Sequence, residues 1–478
     1  MKAPTSDPFR PRLERAAGGP LYRQLRDRIR HAILDGVLQP GSRLPSSRAL
    51  ASQLASARGT VERAYELLIA EGYLVGQAAA GTIVNPQLHG HVGRMAMTAP
   101  QQPAPMAAAS RNAGVGRNIL FHPGLPALDA FPRKLWSRLA GRRARDLSAA
   151  TMVYQEPAGY RPLRDAIAGY LSVARGISAS AGQIFITAGF DGALALVARL
   201  LLGHGERVWI EDPGYFRARD GLRLAGAVPV PVAVDAHGLR VDDGLRAAPD
   251  AALAYVTPSY QAPLGATLSL PRRLALLDWA NRSGAWIVED DYSGEFRYDG
   301  WPLPALKSLD TRERVFYIGS FSKTLFPALR LGYLIVPRAQ VERFTQGCAH
   351  IAPHASVIEQ MTAADFIAQG HFARHVRHMR KLYAERRGAL AQALSDAFGA
   401  RLRIDPEAGG VHLVAWLRPG TSDAELARRA IAGGRMASPL SAWTLAARCR
   451  PALLLGFTNI PVEAAAREAR HLRRILDK

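Results

Sequence analysis

The 478-residue chain has only two cysteines, Cys348 and Cys449, far apart and without metal-ligand spacing around them. Neither a disulfide framework nor a zinc site is indicated, and no other metal site is expected. Long apolar runs are missing too: nothing approaches the roughly 18 residues that span a bilayer. The opening stretch MKAPTSDPFRPRLERAAGG has no apolar centre for a signal peptide. A cytoplasmic protein without membrane contact is therefore expected. Acidic side chains are in short supply: 40 Asp and Glu face 61 Lys and Arg, for a net charge of +21. That balance favours polyanionic partners through phosphate contacts, although an arginine-rich composition also follows from codon bias.

What is present is the material for more than one core. Hydrophobic residues make up 48% and charged residues 21%, the balance of a globular protein, and the length exceeds one ordinary domain. From Leu21, apolar residues recur at helical spacing (Leu25, Ile29, Ile33) until GVLQPGSRLP ends the first helix near Asp35. Ser46 or Ser47 is placed to cap a second helix, and Thr60 to cap a third, TVERAYELLIAEG, closed by Gly72. YLVGQAAAGTIV then reads as two short strands about a small-residue turn. Three helices and a hairpin in this order describe a winged helix-turn-helix over residues 14–85. Residues 86–118 shift to Pro, Ala, Gln and Gly without periodicity and read as a linker. From 119 to 478, short apolar runs alternate with amphipathic helical stretches, which implies βαβ units and a mostly parallel sheet with its active centre at the strand carboxyl ends. Thr187, Glu211, Thr257, Asp290 and Ser320 stand at such ends.

One lysine stands out. In SFSKTLFPALRLGY, Lys323 lies in an otherwise apolar setting, where it is either a packed stem with a solvated head or a desolvated nucleophile able to form a Schiff base. The strand AWIVEDDY ends in carboxylates suited to capping a helix, holding a metal or pairing with a protonated ring nitrogen; no further ligands at metal spacing accompany them. In TAGFDGALALVARLL a strand turns into a helix whose first N–H groups can receive a phosphate.

Taken in order, YQEPAGYRPLRDAIAGYL, TAGFDGALALVARLL, EDPGYFRAR, TPSYQAPLGATLS, EDDYSGEFRY and SFSKTLFPALRLGY resemble the fold-type I pyridoxal-phosphate enzymes of the aspartate aminotransferase class. The resemblance implies an α/β fold with a mostly parallel central sheet and a smaller C-terminal α+β subdomain. It implies pyridoxal 5′-phosphate held as a Schiff base on Lys323, with Asp290 at the pyridinium nitrogen and Tyr292 at the ring hydroxyl. Ser320, Ser322, Arg330 and the backbone of Gly189 and Phe190 would hold the phosphate, Tyr215 would cover the ring, and Tyr260 would complete the cofactor contacts. Tyr154 would reach across a homodimer to the partner's phosphate. Two positions depart from the class: Ala262 stands where an asparagine usually meets the ring hydroxyl, and Leu454 where an arginine usually takes the substrate carboxylate. Arg217 and Arg450 are the alternative clamps for an effector.

The N-terminal segment is similar to the GntR family of winged helix-turn-helix proteins. The likeness implies binding to double-stranded DNA through Ser46, Arg48, Arg58 and Thr60, with the helix after the turn in the major groove. Ala57 and Gly59 replace hydrogen-bonding residues common there, and Ala79 a glycine of the wing. The two halves together resemble the MocR family of bacterial transcription regulators. The expectation is a regulator that senses pyridoxal phosphate or a small amine or amino acid at Lys323, without turnover in vivo; the alternative is a working aminotransferase with an appended DNA-binding domain.

Overall fold

The computed structural model describes residues 20–77, 81–88, 120–298, 304–351, 355–405 and 409–477. The chain divides into two compact units, residues 1–113 and 114–478.

In the first unit, α1 (Leu21–Leu34), α2 (Ser47–Gln53) and α3 (Arg58–Ala70) precede the antiparallel pair β1 (Leu74–Gln77) and β2 (Gly81–Val84). Leu25, Ile29 and Ile33 of α1 meet Leu50 of α2, Val61, Ala64, Tyr65 and Leu68 of α3, and Leu74 and Val84 of the hairpin in one buried core. The i, i+3, i+4, i+7 spacing in α3 makes that face continuous. The Tyr65 hydroxyl donates to the carbonyl of Pro45 at 2.8 Å, tying α3 to the entry of α2. Ser46 caps α2, its hydroxyl accepting from the N–H of Ala49. The third helix begins earlier than its sequence suggests: Ala57 is the N-cap residue, without a side-chain bond, and Thr60 lies inside the first turn. With a backbone φ of 49°, Ala55 makes the turn between α2 and α3. Ala79 and residues 89–118 of the expected linker lie outside the described residues.

In the second unit, α4 (Arg133–Arg145), α5 (Ala149–Met152) and α6 (Arg161–Arg175) lead to β3 (Ile184–Thr187), α7 (Gly189–Leu201), β4 (Arg207–Asp212) and α8 (Phe216–Leu224). β5 (Val228–Asp235), β6 (Gly238–Leu239), β7 (Leu253–Val256), β8 (Trp286–Asp290), β9 (Val315–Ser320) and β10 (Gly332–Ile335) follow. The sheet order is β3-β10-β9-β8-β7-β4-β5-β6. β9, β8, β7, β4 and β5 run parallel, while β10 is antiparallel to β3 and β9, and β6 to β5. The inner strands read as unbroken apolar runs, LAYV and the WIV that precedes the acids of β8, because both sheet faces are covered. A smaller antiparallel sheet, ordered β11 (Leu402–Ile404), β12 (His412–Leu417), β14 (Ala452–Gly456) and β13 (Ser438–Pro439), forms the C-terminal subdomain against helices 371–398 and 465–476. Among the described residues, no helix is long and apolar enough to cross a membrane.

Candidate functional site

The strand ends of the large sheet bring the chemistry together. The three acids closing β8 go separate ways. Glu289 accepts from the N–H groups of Leu306 and Lys307 at 2.8 and 2.7 Å. Asp291 receives Arg175 Nε at 2.7 Å and the Tyr317 hydroxyl at 2.6 Å. Asp290 lies between them, buried, its Oδ2 accepting from the Tyr255 hydroxyl at 2.6 Å and its Oδ1 without a hydrogen-bond partner. Burial pushes its carboxyl up to about 7, against the Tyr255 hydrogen bond; Asp291 adds to the rise and Lys323 opposes it. A buried carboxylate oxygen left unpaired is costly, so Oδ1 is suited to a ligand N–H. The Tyr292 hydroxyl is likewise buried and without a partner.

Lys323 follows β9 by one short turn. It is half-buried, and its Nζ donates to the carbonyl of Gly124 at 2.5 Å. A Cβ on Gly124 would lie 2.9 Å from that nitrogen, so a larger residue there would push the lysine head aside. Desolvation lowers the amine to about 8, with Asp290 opposing and Arg217 reinforcing the shift. Lowering an amine toward neutrality makes more of its nucleophilic, uncharged form available for carbonyl capture.

Ring and phosphate contacts surround this pair. Tyr215 packs against Phe190 with ring centres 5.4 Å apart and against Trp443 at 5.6 Å. Tyr260 stands edge-on to Tyr292 at 6.5 Å and to His412 at 6.2 Å. At the start of α7, Gly189 adopts a left-handed φ of 74° beside Arg330, itself left-handed at 49°. Arg330 Nη2 donates to the Ala188 carbonyl at 3.3 Å and to Asp191 Oδ2 at 3.1 Å. The Ser320 hydroxyl accepts from the N–H of Ser322 at 3.2 Å. A guanidinium, free helix N–H groups and two serines form an anion cradle.

Ala262 and Leu454 share one apolar cluster with Val414, Leu440, Trp443 and Ala452, against which Tyr215, Leu264 and Tyr292 pack. Leu454 is wholly buried there. Of the two effector clamps, Arg217 lies near Lys323 but is bound to Asp191 at 2.7 Å. Arg450 is exposed, with Nε on the Leu417 carbonyl, just ahead of β14, whose other end, Gly456, meets Phe121 at the cleft. The structure does not bring it to the other site residues. Tyr154 is fully exposed on its own chain and is also apart from them.

Sequence reasoning missed Tyr255, Asp191, His122 and His412. Tyr255 was legible, two positions before Thr257 in LAYVTPS and so alternating with its neighbours on a strand. His122 and His412 carried no signal: half-buried His122 and buried His412 are both lowered to about 4 by desolvation, with Lys323 adding to the effect.

In the first unit, Ser46, Arg48 and Arg58 are exposed and Thr60 is half-buried. Arg58 Nε donates to Glu62 at 2.7 Å, and Ser47 reaches the same carboxylate at 3.3 Å. Glu62 thus fixes the start of α3 against α2.

Sheet, lysine and orphaned carboxylate define an aminotransferase-type pyridoxal-phosphate domain behind a winged helix-turn-helix. The family described as aminotransferase class I and II matches residues 136–450, and the gntR family of bacterial regulatory proteins matches residues 21–84. The chain is 38% identical to the probable rhizopine catabolism regulatory protein MocR of Rhizobium meliloti, over 94% of this chain and 92% of that one. It is 34% identical to the pyridoxine biosynthesis transcriptional regulator PdxR of Corynebacterium glutamicum, over 82% of each. A solved kynurenine aminotransferase from Pyrococcus horikoshii superposes with a TM-score of 0.68 at 26% identity, over 76% of this chain and 91% of that one. The chain belongs to the MocR family of transcriptional regulators, with a DNA-binding GntR-type domain and an aminotransferase-like domain whose cofactor is pyridoxal 5′-phosphate.

Proposed function

We propose that the aminotransferase-like domain is a sensor, which binds pyridoxal phosphate, or through it a small amine or amino acid, by a Schiff base at Lys323. The observation that carries this reading is the pairing of a half-buried, partly neutralised Lys323 with the unpartnered Oδ1 of buried Asp290. Lys323 holds the cofactor aldehyde. Asp290 would accept the ring N–H and favour its protonated form, and the bound group would supply an electron sink. Tyr292 donates to the ring hydroxyl, and Tyr215 and Tyr260 exclude water from its surroundings. Arg330, Ser320, Ser322 and the N–H groups of Gly189 and Phe190 hold the phosphate.

The regulator works as a homodimer in the cytoplasm, with Tyr154 of the partner subunit completing the phosphate site; its full exposure on its own chain supports this. Folded units over 14–85 and 119–478, joined by a linker over 86–118, follow the composition shift. Occupancy at Lys323 shifts the dimer between arrangements in which Ser46, Arg48, Arg58 and Thr60 meet DNA differently. The name of PdxR favours the cofactor itself as signal, and the name of MocR favours a small organic effector. Arg217 and Arg450 remain the effector-clamp candidates, with Arg217 favoured because it alone lies near Lys323.

An active aminotransferase is the second reading. The apolar packing of Leu454 and Ala262 weighs against it, because substrate carboxylates need a desolvated cation. Lys323→Ala tests the proposal: the yellow absorbance of lysine-bound cofactor should vanish, and a variant that keeps the band sinks it.

A further inference from the structure

The anion cradle at the start of α7 already holds an anion, and that anion belongs to the chain. Asp191, in the first turn of α7, takes Arg217 Nη2 on Oδ2 at 2.7 Å and Arg217 Nε on Oδ1 at 3.4 Å. The same Oδ2 also accepts Arg330 Nη2 at 3.1 Å. One carboxylate oxygen therefore bridges two guanidiniums, one of which is the cation a cofactor phosphate requires. The three side chains are only partly shielded, between 36% and 57% exposed, so the cluster can rearrange without opening the core. Burial alone would raise the Asp191 carboxyl, but the hydrogen bonds and charges of Arg217 and Arg330 outweigh it and hold the group below its ordinary range.

We propose that Asp191 is a built-in competitor for the cofactor phosphate. To bind a phosphate monoester, Asp191 must yield Arg330 and fall back on Arg217, which already holds it more closely and from two nitrogens. Two anions then share one cradle, and their repulsion weakens phosphate binding. Arg217 is, in this account, the counter-ion of the displaced carboxylate. This inference rests on the phosphate placement in the proposed function. Its consequence is regulatory: weakened binding makes cofactor occupancy responsive to supply, as a sensor of pyridoxal phosphate requires.

The sign of one substitution decides the matter. Asp191→Asn in the full-length protein should bind pyridoxal phosphate about five- to tenfold more tightly, read from the yellow band, while affinity for pyridoxal, which lacks the phosphate, stays unchanged. Inorganic phosphate should also raise the melting temperature of Asp191→Asn more than that of the native chain. Asp191→Ala should give the same results, which guards against misfolding of one variant. Equal or weaker pyridoxal-phosphate binding in both variants overturns the proposal and makes Asp191 a residue that positions Arg330. An equal gain for pyridoxal overturns it too. If no yellow band forms in any chain, the Lys323 assignment fails instead, and the inorganic-phosphate shift still decides the role of Asp191.

Discussion

The side chains assigned to DNA stand largely in water, whereas Asp290 and Lys323, at the reactive end of the cofactor site, are shielded from it. Arg58 keeps 66% of its side chain exposed and is already paired with Glu62. Asp290 is buried with one oxygen unsatisfied, and desolvation drives both it and Lys323 far from their ordinary protonation behaviour. The difference teaches where each unit keeps its specificity. A solvated arginine gains little from any single contact, so the reader depends on several contacts made together. In the cleft, one desolvated group can decide binding.

The largest effect should therefore come from the cleft. Asp290→Ala removes a charge-assisted hydrogen bond worth about 2–3 kcal/mol and should loosen pyridoxal phosphate by about a hundredfold in an absorbance titration. An unchanged affinity would place the ring nitrogen elsewhere.

A smaller effect follows from protonation. Since only the neutral amine captures an aldehyde, the capture rate should rise with pH and level off above about 8, the value to which desolvation lowers Lys323 from 10.5. Between those two values the unfolded chain holds a proton that the folded one has lost, so the stability of the cofactor-free protein should rise with pH across that window. Stopped-flow absorbance and thermal melts at several pH values check both; a rate still climbing steeply toward 10.5 would mean that Lys323 is solvated.

The smallest effect belongs to the reader. Arg58→Ala should cost about 1 kcal/mol in DNA affinity and, if the contact is to phosphate, lower the salt slope by about one. A loss of several kcal/mol would erase the contrast between the two units.

Legibility in the sequence follows the same division. Strand-helix alternation and the lysine, aspartate and serine strings located the cleft, because sheet topology places strand ends side by side. The triplet Glu289-Asp290-Asp291 did not by itself reveal which acid is available. That depended on residues distant in sequence: Leu306 and Lys307 take both oxygens of Glu289, and Arg175 and Tyr317 meet on Oδ2 of Asp291 in a buried ion pair. The bridge from Asp191 to Arg217 and Arg330 was hidden for the same reason, since its members come from three separate segments. In the reader, helix order was plain, but the start of α3 was misjudged: Thr60 is a good capping residue in principle, yet the backbone turns at Ala55 and the helix begins at Arg58.

The central claim is that the state of Lys323 is felt at the DNA. A fluorescence-anisotropy titration of the full-length protein against DNA upstream of its own gene tests it, run without cofactor, with pyridoxal phosphate, and with cofactor plus a panel of amines and amino acids, in parallel with Lys323→Ala. The account predicts a change in affinity between about 5- and 150-fold under at least one of the ligand conditions, abolished by the substitution. An affinity that stays constant in every condition, or a change that Lys323→Ala retains, would contradict it.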